Sequence, residues 1–192
     1  MTEMKLVVAT NNRHKLEEIQ AFLSPSIQLL TLADIGCTEE LPETGRTLEA
    51  NSLQKTKYLA DYYQVDCFGD DTGLEITALQ GEPGVDSAFY SGSRDAQANM
   101  QKVLTQLQGI TDRSARFRTV ITLIIQEEIY QFEGIVEGTI LEAPQGEQGF
   151  GYDPIFVPEG YDRSFAQMSV AEKNAINHRT RAVAKMVEFL NQ

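Results

Sequence analysis

Short apolar runs, each followed by a polar turn and then by residues at helical spacing, recur along this chain, and the alternation commits it to an α/β fold. Residues 4–9 are apolar and end at Thr10-Asn11-Asn12, after which Leu16, Ile19 and Leu23 recur until Ser24-Pro25 stops them. A second apolar run, 27–32, leads into an acidic, turn-rich stretch over 38–45 and then a helical pattern over 47–63. A strand near 65–69 runs into Asp70-Asp71-Thr72-Gly73. Further on, a loop rich in Gly and Ser (81–93) precedes a helix over 95–107. Two β-branched runs, 115–126 and 129–141, joined at Glu127-Glu128, predict a long antiparallel hairpin. A glycine-rich loop over 146–154 leads to a closing helical segment that reaches Leu190.

That last segment contains a geometric test. On one continuous helix Lys173 and Arg179 would lie about 240° apart and could not face one ligand. Ser169-Val170-Ala171-Glu172 reads as a capping box and Asn177 as an N-cap, so the spacing predicts two helices. His178 and Arg179 then open the second, where an anion can be met, and Val183, Met186, Val187 and Leu190 form its inner face. With no repeat, low-complexity tract or linker, the 192 residues predict one domain, 1–192, a compact α/β body with a long curled hairpin.

Composition narrows the function. Asp and Glu total 28 against 16 Lys and Arg, a formal net charge of -12, which argues against a surface that grips polynucleotides or anionic membranes. Only Cys37 and Cys67 are present and the first residues lack a signal-peptide pattern, so a reduced, cytoplasmic protein is expected. No apolar stretch approaches the roughly 20 residues of a spanning helix.

Three segments could do chemistry. Thr10, Asn11, Asn12, Arg13, His14 and Lys15 follow the first strand and open a helix, so orphan amides and a lysine could meet phosphate, or an Asn could simply cap the helix. Asp70-Asp71-Thr72-Gly73, with Glu43 in the earlier acidic loop, offers the hard oxygen donors that suit Mg2+, or forms a turn. Adjacent Asp70 and Asp71 should point to opposite sides and take different roles. Phe150, Gly151, Tyr152 and Asp153 interleave aromatic faces with glycine, which suits a flat base, or else anchor a tight turn. Neither a Gly-x-x-x-x-Gly-Lys loop nor a Gly-x-Ser-x-Gly elbow occurs, and no Cys/His spacing suits zinc.

Taken together, these segments resemble the inosine triphosphate pyrophosphatase family, the XTP/dITP pyrophosphatases. The resemblance runs almost the whole chain: Thr10-Asn11-Asn12 with Lys15, Glu43-Thr44-Gly45, Asn51 with Lys55, Asp70-Asp71-Thr72-Gly73-Leu74, Gly81 with Pro83-Gly84, 149–156, and Glu172-Lys173-Asn174 with His178-Arg179. It implies an elongated mixed sheet with flanking helices, two lobes around a central cleft, a homodimer, and Mg2+-dependent hydrolysis of non-standard purine nucleoside triphosphates to monophosphate and pyrophosphate. By the same resemblance Asp71 is the proton acceptor and, with Glu43, a metal ligand. Thr10 to Lys15, Lys55 and Thr72 bind phosphates. Phe150 to Asp153, Lys173, His178 and Arg179 contact the base and substrate.

Physical chemistry fits these roles. Attack of water on the α-phosphorus needs charge neutralisation, in-line positioning and a proton acceptor. Beside a cation Asp71 would have a lowered pKa, accepting from a water already acidified by the metal. Donors on His178 and Arg179 would match a 6-oxo purine and leave a 6-amino purine mismatched. Lys15, Lys55, Lys173 and Arg179 are expected to make a local positive field within the acidic whole. Two departures stand out: Ser87-Ala88-Phe89-Tyr90 where the family commonly has Ser-Ala-Arg-Tyr, and Ala50-Asn51-Ser52 where it commonly has Glu-Asn-Ala. Other readings of the chain are a pyrophosphatase for modified or pyrimidine nucleotides, a catalytically silent nucleotide-binding module, and an aspartyl-phosphate phosphotransferase, although the last wants Asp-x-Asp spacing.

Overall fold

A computed structural model describes residues 3–192. Its main elements are β1 (Met4–Val8), α1 (Arg13–Gln20), β2 (Ile27–Leu30), α2 (Leu48–Tyr63), β3 (Cys67–Ile76), α3 (Ala96–Gln106), β4 (Ser114–Ile125), β5 (Glu128–Ile140), β6 (Phe156–Pro158), α4 (Val170–Asn174) and α5 (His178–Leu190). The strands form one open sheet in the order β2-β1-β3-β4-β5-β6. β1 runs parallel to β2 and β3, whereas β5 and β6 are antiparallel, so the sheet is mixed, and helices flank it as the sequence predicts.

The β4–β5 hairpin turns at Gln126-Glu127, one residue earlier than the predicted connection. Both turn residues are left-handed, with φ of 50 and 68, the two-residue geometry whose twist matches the flanking strands. A larger correction concerns β3. The expected strand end near residue 69 is instead only the third residue of a ten-residue strand, and Asp70 to Gly73 are extended strand residues rather than a turn.

By compactness the chain divides into two units. The first comprises the chain up to Asp71 together with Thr119–Gly134 and Arg179–Gln192; the second comprises Thr72–Arg118 and Ile135–His178. Within the first unit, alternate residues of β1 serve two cores, as a strand's period of two requires. Leu6 and Val8 pack with Ile19 of α1 and Ala182, Val183 and Met186 of α5, and Val7 and Ala9 pack with Leu59 of α2. Leu6, Ile19 and Leu59 are completely enclosed, and each such side chain stabilises the fold by roughly 1.5–3 kcal/mol relative to exposure. Cys37 and Cys67 are buried here and unbridged.

α2 starts where Thr47 Oγ1 accepts from the Ala50 amide at 3.0 Å. It lies so close to β3 that a Cβ on Gly69 would fall 2.5 Å from Thr56 Oγ1 and 2.9 Å from Ala9 Cβ. The second unit has one core, on one sheet face, built from Leu74, Ile76, Ala115, Phe117, Val136 and Ile140 with Val103, Leu104 and Leu107. Among the intervening residues of β3 and β4, Glu75 pairs with both Arg116 and Arg118, at 3.0 and 3.3 Å. The predicted break before α5 is present: Ser169 and Glu172 form the capping box of α4, and α5 begins at His178. Among the described residues no helix is long and apolar enough to cross a membrane.

Candidate active site

The first unit gathers charge around β3. Lys15 and Glu18 lie three residues apart on one face of α1, and both turn inward. Lys15 Nζ stands 3.1 Å from Asp70 Oδ2. Arg179, at the start of α5, is fully buried, donating from Nε to Asp70 Oδ2 at 3.4 Å and from a second guanidinium nitrogen to Glu18. From α2, Lys55 Nζ reaches Glu43 Oε1 at 2.7 Å. The loop carrying Glu43 is tied to the same helix, because the Gly45 amide donates to Asn51 Oδ1 at 2.7 Å and the Thr44 amide to Gln54 Oε1 at 2.7 Å. Sequence reasoning connected Glu43, Asn51 and Lys55 only by resemblance; the helix spacing and these bonds make them one constellation.

Burial and charge separate the two aspartates. For Asp70 burial would raise the pKa, but Lys15, Arg179 and Lys55 together outweigh it and hold the carboxyl well below its usual range. For Asp71 burial prevails: its pKa is pushed up to about 6, with Lys55 and Lys15 opposing and Glu43 and Asp70 assisting the rise. The sequence expectation of a lowered value assumed a cation beside Asp71; without one, desolvation decides the sign. Lys15 itself is lowered, since burial, Lys55 and Arg179 act against the pull of Asp70. Lys55 is raised, because Asp70, Glu43 and Asp71 overcome its burial.

This arrangement also bears on a metal. Among the described residues no three His, Cys, Asp or Glu side chains form a ready cage. Asp71, an acid whose ionisation its surroundings resist, and Glu43 are oxygen donors of the kind that hold Mg2+ when substrate phosphates and water supply the remaining ligands. The donor set therefore fits that ion.

The second unit holds a polar site on an aromatic base. The 146–154 loop is pinned by the Gln145 amide to Pro154 O at 2.8 Å and the Gln148 amide to Ala166 O at 2.9 Å. Asp153 Oδ2 accepts from the Phe150 amide at 3.0 Å and from Lys173 Nζ at 2.7 Å, and Lys173 Nζ lies 4.7 Å from the centre of the Phe150 ring. Gly149 has φ +74, and a Cβ there would stand 2.1 Å from Asp153 Oδ2. Gly149→Ala should therefore cost about 2 kcal/mol or more of stability. Urea unfolding measures this, and an unchanged midpoint would contradict it.

Not every expected residue joins these clusters. Asn12 caps α1, accepting from the Lys15 amide at 3.3 Å, and Thr10 Oγ1 accepts from the Asn12 amide at 3.1 Å. Asn11 and His14 are exposed, and Arg13 is exposed and paired with Glu17 at 2.9 Å. Thr72 is a half-buried residue within β3. Gly151 takes the left-handed conformation the turn needs, with φ +60. Tyr152 points into the core, its hydroxyl donating to Ser87 O at 2.6 Å. His178 is buried and stacks on Phe117, with ring centres 4.6 Å apart. At the departure from the family pattern, Arg94 lies 4.2 Å over the Phe89 ring. Glu18, Phe117 and Phe165 also stand beside these residues but were not singled out from the sequence; only Glu18 carried a signal, its helical spacing from Lys15.

A model of the Ham1 family matches residues 6–189. The chain is 50% identical over 187 residues to a dITP/XTP pyrophosphatase of Flavobacterium psychrophilum, covering 97% of this chain and 98% of that protein. It is 44% identical over 189 residues to the Bacillus subtilis dITP/XTP pyrophosphatase, covering 96% of each. Among solved structures, a HAM1 protein from Coxiella burnetii superposes with a TM-score of 0.91 at 35% identity, over 98% of both chains. The Ham1 protein of Staphylococcus aureus gives 0.90 at 36% identity, over 97% of this chain and 98% of that one.

Proposed function

The chain belongs to the Ham1 family, and from that premise we propose that it hydrolyses non-standard purine nucleoside triphosphates, dITP and XTP among them, to the monophosphate and pyrophosphate. The observation that carries the chemistry is the β3 cluster, in which half-buried Lys15 and buried Lys55 stand with Asp70, Asp71 and Glu43. Lys15 and Lys55 bind phosphate oxygens. Thr72 and the Thr10 to Asn12 turn join them, with Arg13 and His14 at its solvent side. Glu43 and Asp71 hold Mg2+, which when bound neutralises phosphate charge and acidifies water.

Asp71 takes the proton from the attacking water as the new oxygen–phosphorus bond forms at the α-phosphorus. The bond from that phosphorus to the bridging oxygen breaks, and the electron pair leaves with pyrophosphate. Burial raises the Asp71 carboxyl in the free protein; a bound cation would lower it again, so the proton comes from a water that the same cation would acidify. Asp70, held ionised, has the different role of fixing Lys15 and Arg179.

Phe150, Gly151 and Lys173 contact the base, with Asp153 orienting Lys173 and His178 donating to the 6-oxo group. Tyr152 supports the loop from beneath. Arg179, given a base contact by the resemblance, is better explained as the partner of Glu18 and Asp70. The family resemblance also supports a cytoplasmic homodimer, and a net charge of -12 favours free nucleotides over polynucleotides.

Incubation with dITP, XTP, dATP and dGTP in the presence of Mg2+, with product identification, tests the reading. Pyrophosphate and monophosphate from dITP and XTP in clear preference to the other two are expected. Release of orthophosphate, or equal rates on all four, would overturn it.

A further inference from the structure

Three rings of the second unit's core do more than fill space. Phe117 on β4, Phe156 on β6 and Phe165 in the turn before α4 contact one another, with centres 4.6 Å apart for Phe117 and Phe156, 5.3 Å for Phe156 and Phe165, and 6.0 Å for Phe117 and Phe165. His178 lies nearly parallel on Phe117, at 4.6 Å and 17°, and reaches Phe165 at 6.3 Å. Lys173 Nζ stands 5.8 Å from the centre of Phe165. The two polar residues assigned above to the base thus share one aromatic platform. An imidazole is free to rotate about its last torsion, which is broad, and a lysine carries a long flexible stem. A ring stacked on one and beneath the other removes that freedom before any ligand arrives, which is how binding sites gain selectivity without new contacts.

We propose that Phe117 is a positioning residue for base selection, setting the plane of His178 so that its N–H meets a 6-oxo purine edge, with Phe165 serving His178 and Lys173 together. This rests on His178 being the base contact. Phe117 touches no substrate in this reading and acts only through the imidazole. Its neighbour Phe156 supports the platform from the side, at an edge-on 60°.

The test uses the protein's two histidines, His14 and His178, as a built-in comparison. In proton NMR of the wild-type protein, ring currents from Phe117 should displace the carbon-bound protons of His178 from the positions of exposed His14. Titration with inosine monophosphate should leave the stack in place. Coincident signals from the two histidines would overturn the proposal without any variant.

In Phe117→Leu the displacement should vanish, and the preference for dITP over dATP, as a ratio of kcat/KM, should fall about tenfold, with KM rising more than kcat falls. Phe117→Tyr, which keeps the ring, should restore the preference. Equal losses on both nucleotides, with a lower melting temperature and no change in preference, would show a merely structural residue and refute the proposal. His178→Gln separates the two readings. If it leaves the preference intact, the base-contact assignment fails. If it abolishes the preference while Phe117→Leu does not, only the positioning role fails.

Discussion

Asp71→Asn should lose turnover on dITP by about a thousandfold, while the metal-free protein becomes harder to unfold at pH 8. Both effects come from one carboxyl. Burial raises its pKa from 3.8 to about 6, so between those values the native state binds more protons than the unfolded state, and stability falls as pH rises. The penalty is absent below pH 3.8 and complete above about pH 6, where it amounts to about 2–3 kcal/mol. Asparagine cannot ionise and escapes it. Thermal melts in chelator should therefore show the variant ahead of the wild type at pH 8 and level with it near pH 4. A variant that kept a tenth of the wild-type rate, or gained nothing at pH 8, would remove Asp71 from the mechanism or its burial from the explanation.

Arg179→Met should be the most destabilising single change at the site, by about 3–5 kcal/mol in urea unfolding at pH 8. The guanidinium is fully buried, and its loss takes a cation away from two buried carboxylates, Glu18 and Asp70. Methionine supplies comparable apolar volume, so the loss reports charge rather than a cavity. The double variant Glu18→Gln with Arg179→Met removes the stranded carboxylate as well, and should be more stable than the sum of the two single losses predicts. Strict additivity would show that the pair is not coupled. The loss in the single variant should also shrink towards pH 5, as the abandoned carboxyls accept protons.

Local pattern carried most of the architecture. The helical spacing of Leu16 and Ile19 found α1, although the helix stops at Gln20 and Leu23, expected within it, lies beyond its cap; the capping box at Ser169 with the break before His178 separated α4 from α5. Where the sequence reading failed, distant partners decided the outcome. Asp70-Asp71-Thr72-Gly73 has the composition of a turn, yet it is strand because Lys15 from α1 and Arg179 from α5 meet Asp70 within the fold, so tertiary pairing overrides local propensity. Arg179 was marked correctly as a residue of interest but not by its partners, since nothing local distinguishes Glu18 from Glu17 except which face of the helix it occupies. Phe117 was invisible as a site residue for a similar reason. Its role depends on a histidine some sixty positions away, and its own neighbours spell only a strand.

The positive field expected from Lys15, Lys55, Lys173 and Arg179 is already answered inside the protein, because each of the four stands against a carboxylate. In the first unit Lys15, Lys55 and Arg179 meet Glu18, Glu43, Asp70 and Asp71, an excess of one acid. A triphosphate cannot simply fall into such a site; it must compete with Asp and Glu for the same ammonium groups. With Mg2+ held as proposed by Glu43 and Asp71, metal and nucleotide would be thermodynamic allies. By reciprocity each must tighten the other by the same factor, and calorimetry should find either ligand alone binding far more weakly than it does in the presence of its companion. The acidity of the cluster then serves as a lock against phosphate compounds that arrive without a cation.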